Sequence, residues 1–105
     1  MVHHIVLFKL KPETTDAKVE EMMMNTRIQL LKIPEVMSVK CGKRIDPSCE
    51  WPFFYALDFE SMDKLAIYLE DPIYLKFAEE ILKPNLVEKL VLDYEMDPNK
   101  DVRYS

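Results

Sequence analysis

Two histidines, His3 and His4, stand side by side in VHHIVLFKL near the start of the chain, and two tyrosines, Tyr68 and Tyr74, bracket a proline in FESMDKLAIYLEDPIYLKF. An imidazole is the side chain whose ordinary titration falls nearest neutral pH, which suits it to take and return a proton. A phenol stays protonated there and can donate a hydrogen bond to a carbonyl or to a developing enolate. His4 with Tyr68 and Tyr74 would therefore make a base with two electrophilic donors. The same residues also have a plain packing reading: a semi-buried histidine with one satisfied hydrogen bond, and two tyrosines burying their rings and hydrating their hydroxyls. Cys41 and Cys49 lack the close spacing of a zinc-ligand pair, nothing basic flanks Cys49 closely, and no metal is expected.

Composition narrows the function classes. A chain of 105 residues is expected to form one domain, residues 1–105, with one modest core. An apolar share of 49% is too high for a disordered chain. The net charge of −5 argues against nucleic acid as a partner, because phosphate binding needs a basic field. Gly42 is the only glycine, which excludes the glycine-rich loops that cradle phosphates, and no cofactor is expected. The chain opens without a secretory leader pattern, and no apolar run approaches the roughly 20 residues of a membrane helix. With only two cysteines and no disulfide framework, a soluble cytoplasmic protein is the expectation.

The elements that must position these side chains can be read from periodicity. Residues 2–10 form a strand apolar on both faces, with His4, Val6, Phe8 and Leu10 on one and His3, Ile5, Leu7 and Lys9 on the other. Thr14 or Thr15 caps a helix with Val19, Met22, Met23, Thr26, Leu30 and Ile33 as its apolar stripe. Val36 to Arg44 and Phe53 to Phe59 are the next two strands, separated by the turn-rich Asp46 to Glu50. Ser61 caps a second helix that gives out before Pro72, which opens a short third one ended by Pro84. Leu86 to Tyr94 is the last strand, and the polar tail 97–105 is expected to be loose.

The order β-α-β-β-α-β, with its second helix split by proline, predicts an α+β ferredoxin-like fold: a four-stranded antiparallel sheet with helices on one face. The other sheet face would then expose Val6, Phe8, Tyr55 and Leu57, a patch too apolar for a soluble monomer. A homodimer packed sheet to sheet, closing a barrel, is the economical solution. Placing Val6 and Phe8 toward that interior puts His4 there too, and leaves His3 on the helix-covered face.

Four segments in this order, HHIVLFKLKP, FES with a helix ending in Tyr68, DP followed by Phe77, and LVLDYE, resemble the stress-responsive dimeric α/β-barrel (Dabb) family across nearly the whole chain. The resemblance implies the same fold and a homodimer. The family includes boiling-stable plant proteins and a plant polyketide cyclase, olivetolic acid cyclase, which closes a ring by aldol chemistry without metal or cofactor. Its Y-x-x-H-P-x-H-x-x-F segment places the cyclase tyrosine at Tyr68, its phenylalanine at Phe77, its first histidine at Asp71 and its catalytic histidine at Tyr74; its strand histidine falls at His4. The helix histidine is thus replaced, which counts against cyclase activity.

The expected function is binding of a small hydrophobic, carbonyl-bearing ligand in a barrel cavity, with cofactor-independent acid–base chemistry by His4, Tyr68 and Tyr74. Val6, Phe8, Met22, Met23, Tyr55, Leu57 and Phe77 are the expected ligand-binding residues. The alternatives are a non-catalytic stress protein whose barrel is only its dimer core, and a cofactor-free or heme-dependent monooxygenase of the same architecture. A cavity of about 300 Å³ or more beside His4 would favour the first, and a filled one the second.

Overall fold

The strand Val2–Leu10 (β1) lies in the middle of the sheet in the computed structural model, which describes residues 1–100. Its partners are Phe53–Phe59 (β3) and Leu86–Glu95 (β4), both antiparallel, while Ser38–Lys43 (β2) pairs with the outer side of β3. The order β2-β3-β1-β4 is that of the split βαβ arrangement expected from the sequence. β2 starts at Ser38 rather than Val36 because Val36 N–H is still bonded to the Ile33 carbonyl of the preceding turn, at 3.1 Å.

Asp16–Leu30 (α1) is capped by Thr15, whose Oγ1 accepts from Lys18 N–H at 3.1 Å, and buries Val19, Met22, Met23, Thr26 and Leu30. Met62–Glu70 (α2) is capped in the same way by Ser61 and buries Leu65 and Tyr68. Asp71 stands in extended backbone ahead of Pro72, so α2 stops there. Its carboxylate accepts from Ile73 N–H at 2.7 Å and opens Pro72–Phe77 (α3), with proline in the first turn. The helical path continues through a π-helical turn, Ala78–Leu82, and a 3₁₀ turn, Lys83–Asn85, before β4. The expected loose tail, 97–105, includes a 3₁₀ turn at Pro98–Lys100; residues 101–105 lie outside the described ones. Among the described residues, no helix is long and apolar enough to cross a membrane.

The helices cover the face of the sheet that carries Val2, His4, Val6 and Phe8 on β1 and Phe53, Tyr55, Leu57 and Phe59 on β3, all buried. This corrects the expected assignment of faces. Val6, Phe8, Tyr55 and Leu57 are the core beneath the helices rather than an unpartnered patch, and His3 rather than His4 lies on the open face. The open face has its own apolar set: Ile5 and Leu7 on β1, Phe54 and Ala56 on β3, and Leu90 and Leu92 on β4, cross-strand neighbours by register. Both faces of β1 are apolar, so the alternation along it offered no contrast by which to choose.

Candidate functional site

The helices shelter β1, β2 and β3 but leave the same side of β4 uncovered, so that Lys89, Val91 and Asp93 stay exposed. A cavity of about 230 Å³ opens at this seam. Val6, Phe8 and Tyr55 of the sheet form its floor, Leu65, Leu69 and Tyr74 of the helices its roof, and Leu82 of the π turn one end. The wall belongs to β4, through Lys89, Val91 and Asp93, and His4 enters beside Asp93.

His4 and Asp93 are direct cross-strand partners in the β1–β4 ladder. His4 Nδ1 lies 2.5 Å from Asp93 Oδ1. An ionised carboxylate can only accept, so the imidazole bound to it donates from Nδ1, and in neutral His4 the lone pair is left on Nε2. His4 is 4% exposed and its ring is fixed on two further sides by edge contacts, with Phe59 at 6.2 Å and Tyr68 at 6.1 Å between centroids. Asp93, at the solvent edge, holds an otherwise enclosed imidazole in one tautomer and one orientation.

Three tyrosines cluster beside it. Tyr74 lines the cavity and is half-buried, and burial pushes its phenol above the usual range, keeping it a hydrogen-bond donor. Tyr68 is fully buried behind it, with ring centroids 4.5 Å apart. The Tyr68 and Tyr55 hydroxyls lie 3.5 Å from each other. Burial raises both phenols strongly, with the proximity of Tyr55 adding to the effect at Tyr68, while the hydrogen bond to Tyr68 offsets part of it at Tyr55. Tyr68 does not line the cavity; it supports Tyr74, His4 and the Tyr55 hydroxyl from behind.

The residues singled out from the sequence therefore divide. His4, Tyr74, Val6, Phe8 and Tyr55 line one cavity, whereas Tyr68, Met22, Met23, Leu57 and Phe77 lie in the core around it. Asp93 and Lys89 were not singled out. The Asp in LVLDYE could be found from sequence only by writing β1 against β4 in antiparallel register, which sets His4 opposite Asp93.

Other clusters are less suited to chemistry. His3 Nδ1 lies 2.5 Å from Asp58 Oδ1, and Ser38 Oγ donates to Asp58 Oδ2 at 2.6 Å. Partial burial pushes the Asp58 carboxyl upward, but the bonds from Ser38 and His3, with the nearby His3 and Lys40 charges, hold it below the usual carboxylate range. The cavity beside His4 does not reach this group. A wider depression of about 760 Å³ lies near Leu10 and Lys43, and three of its four lining cations are engaged: Lys43 with Glu20 at 2.6 Å, Arg44 with the Cys49 carbonyl at 2.8 Å, Lys9 with Glu88 at 3.3 Å. Both cysteines are free; burial raises the Cys41 thiol, and Cys49 is exposed. Among the described residues, no three His, Cys, Asp or Glu side chains gather as a metal site.

The sequence from residue 2 to residue 96 matches the model of the Dabb family, the stress responsive A/B barrel domain. The chain belongs to this family. No curated protein matches this A/B barrel domain. Among solved structures it resembles a Dabb-family protein of ferredoxin-like fold from Mesorhizobium loti, with 20% identity over 90% of this chain and 95% of that one and a TM-score of 0.79. It also resembles a dimeric ferredoxin-like protein of unknown function from Thermobifida fusca, with 20% identity, 90% of each chain covered and a TM-score of 0.80. A hydroxynitrile lyase from Passiflora edulis is similar at 22% identity over 92% of this chain and 94% of that one, with a TM-score of 0.78. At these identities the likeness establishes the ferredoxin-like fold.

Proposed function

We propose that this A/B barrel domain binds a small carbonyl compound in the cavity between helices and sheet and moves a proton on it. The observation that carries this reading is the His4–Asp93 pair on the wall of a cavity that Tyr74 also lines. In the catalytic step His4 Nε2 takes a proton from the carbon next to the carbonyl. The C–H bond breaks, an N–H bond forms, and the electron pair moves onto the carbonyl oxygen, where the Tyr74 hydroxyl donates a hydrogen bond to it. The imidazolium then returns the proton to carbon or to an adjacent oxygen. Asp93 orients the ring and stabilises its cationic form, and Tyr68 acts as a positioning residue. A lyase among proteins of this fold supports an enzymatic use of the cavity.

At about 230 Å³ the cavity is smaller than the roughly 300 Å³ expected for a ligand site but is not filled, and it holds roughly eight water-sized groups. Acetophenone is a suitable probe. Followed by NMR in heavy water, its methyl protons should exchange faster than in buffer, and His4→Ala should lower that excess by roughly 10²–10⁴-fold. Absence of both exchange and thermal stabilisation across small ketones would leave the alternative, a non-catalytic stress protein.

The assembly proposed with this function is a homodimer joined through the open face. Ile5, Leu7, Phe54, Ala56 and Leu92 form an apolar surface on the side of the sheet away from the helices. Dimeric proteins of this fold support the pairing. A monomer mass by light scattering at about micromolar concentration would sink it.

A further inference from the structure

We infer that the cavity selects an oxo acid, a carbonyl compound carrying a carboxylate at its far end, and that Lys89 is the residue that makes the selection. This rests on the cavity being a binding site, and concerns what it binds.

The β4 wall is polar at its two ends and apolar between them. Lys89, Val91 and Asp93 alternate along one strand on one face, so Lys89 and Asp93 are about 13 Å apart at their Cα atoms. Asp93 already faces His4 at 2.5 Å. Among the described residues, Lys89 is the only Lys or Arg on the lining and takes part in none of the ion pairs. The cross-strand position opposite it is Phe8, which offers no countercharge. Between these ends the surface is Val91, Val6, Phe8 and Leu82, which solvates neither charge. A ligand with one anionic end is therefore oriented. Its carboxylate would meet a like charge beside Asp93 and an opposite charge beside Lys89, which leaves the carbonyl at the His4 and Tyr74 end. The ammonium stem spans part of the gap, so roughly three to five bonds between carboxylate and carbonyl carbon match the remaining distance.

The experiment measures binding by calorimetry of straight-chain methyl-ketone acids with roughly two to five methylenes between carbonyl and carboxylate, each against its methyl ester. For the best-fitting length, wild type should bind the acid about tenfold more tightly than the ester. Lys89→Ala should reduce that preference to about twofold or less, Lys89→Arg should retain it, and Lys89→Glu should reverse it. His4→Ala should weaken acid and ester alike, because it acts at the common end. Equal binding of acid and ester by wild type would overturn the selection by Lys89 while leaving the carbonyl site standing. A preference for the acid that survives Lys89→Ala and Lys89→Glu would overturn it too. Binding of neither compound at any length would overturn the site and the selection together.

Discussion

His3 and His4 are neighbours in one strand, and each directs Nδ1 to an aspartate on an adjoining strand at 2.5 Å, His3 to Asp58 of β3 and His4 to Asp93 of β4. The pairs are chemically equivalent in composition and opposite in setting. His4 lies beneath the helices, 4% exposed, with a cavity beside it; His3 lies on the open face next to Ile5 and Leu7, with Ser38 as a third member. Residue type and spacing nominate both pairs equally. The enclosure built by α2, α3 and the π turn singles out one of them as a place where a molecule can be held away from water.

The strongest test of this contrast is a paired substitution one residue apart. Val6→Asp puts a carboxylate among Phe8, Tyr55 and Leu82 with no partner, and should cost more than about 4 kcal/mol, enough to unfold a domain of this size in urea titrations. Leu7→Asp places the same group on the open face. It should leave the fold intact by circular dichroism and convert the proposed dimer to monomer by light scattering. Two unfolded variants would mean that the open face is not a separable interface.

Alkaline pH strains the helix-covered side alone. Tyr55 and Tyr68 ionise in the folded chain well above the value of 10.0 they have when unfolded. A raised folded value means the contribution to stability is complete below pH 10.0 and is lost as the pH rises further, because the unfolded chain gives up protons that the folded chain must keep. The loss should reach about 1.4 kcal/mol per pH unit for each tyrosine. Urea titrations in this range should give a shallower slope for Tyr55→Phe with Tyr68→Phe, and an unchanged slope in that variant would remove these phenols from the account.

Removing each histidine's partner sharpens the comparison in functional terms. Asp93→Asn should slow ketone proton exchange by roughly 10- to 100-fold, as loss of a group that orients a histidine does elsewhere. Asp58→Asn should leave that rate within about twofold. Equal loss from both variants would mean that neither pair is specific to the site. The smallest expected effect is acid sensitivity on the open face. The Asp58 carboxyl lies below its ordinary 3.8 in the fold, so its contribution is present above that pH and fades as the pH falls through the folded value. Stability measured between about pH 5 and pH 3 should fall less steeply in Asp58→Asn than in wild type.

Much of the fold was legible because local signals agreed with one another. Of the candidates Thr14 and Thr15 it is Thr15 that caps α1, Ser61 caps α2, Pro72 opens α3, and the stripe from Val19 to Leu30 is the stripe that is buried. What could not be read locally was the direction each face of β1 takes. His4, Val6 and Phe8 are as apolar a set as Ile5 and Leu7, and only the polar residues of neighbouring strands break the tie. Ser38, Lys40 and Asp58 share the face of His3, which marks that face as the one without helices. The Asp93 partner was hidden for a related reason: cross-strand register is a property of two distant segments, 89 positions apart in the chain.

The π-helical turn Ala78–Leu82 gives the cavity a control of another kind. Its wider winding holds one residue more than an α-helical turn would, and Leu82 at its end closes the cavity. Deleting a single residue there would restore ordinary winding, rotate the downstream end of the turn by about 100° and carry Leu82 off the wall. The volume of the cavity thus depends on the number of residues in this turn as much as on their identity. Insertion and deletion are a coarse adjustment of that volume that would leave the identity of every other lining side chain unchanged.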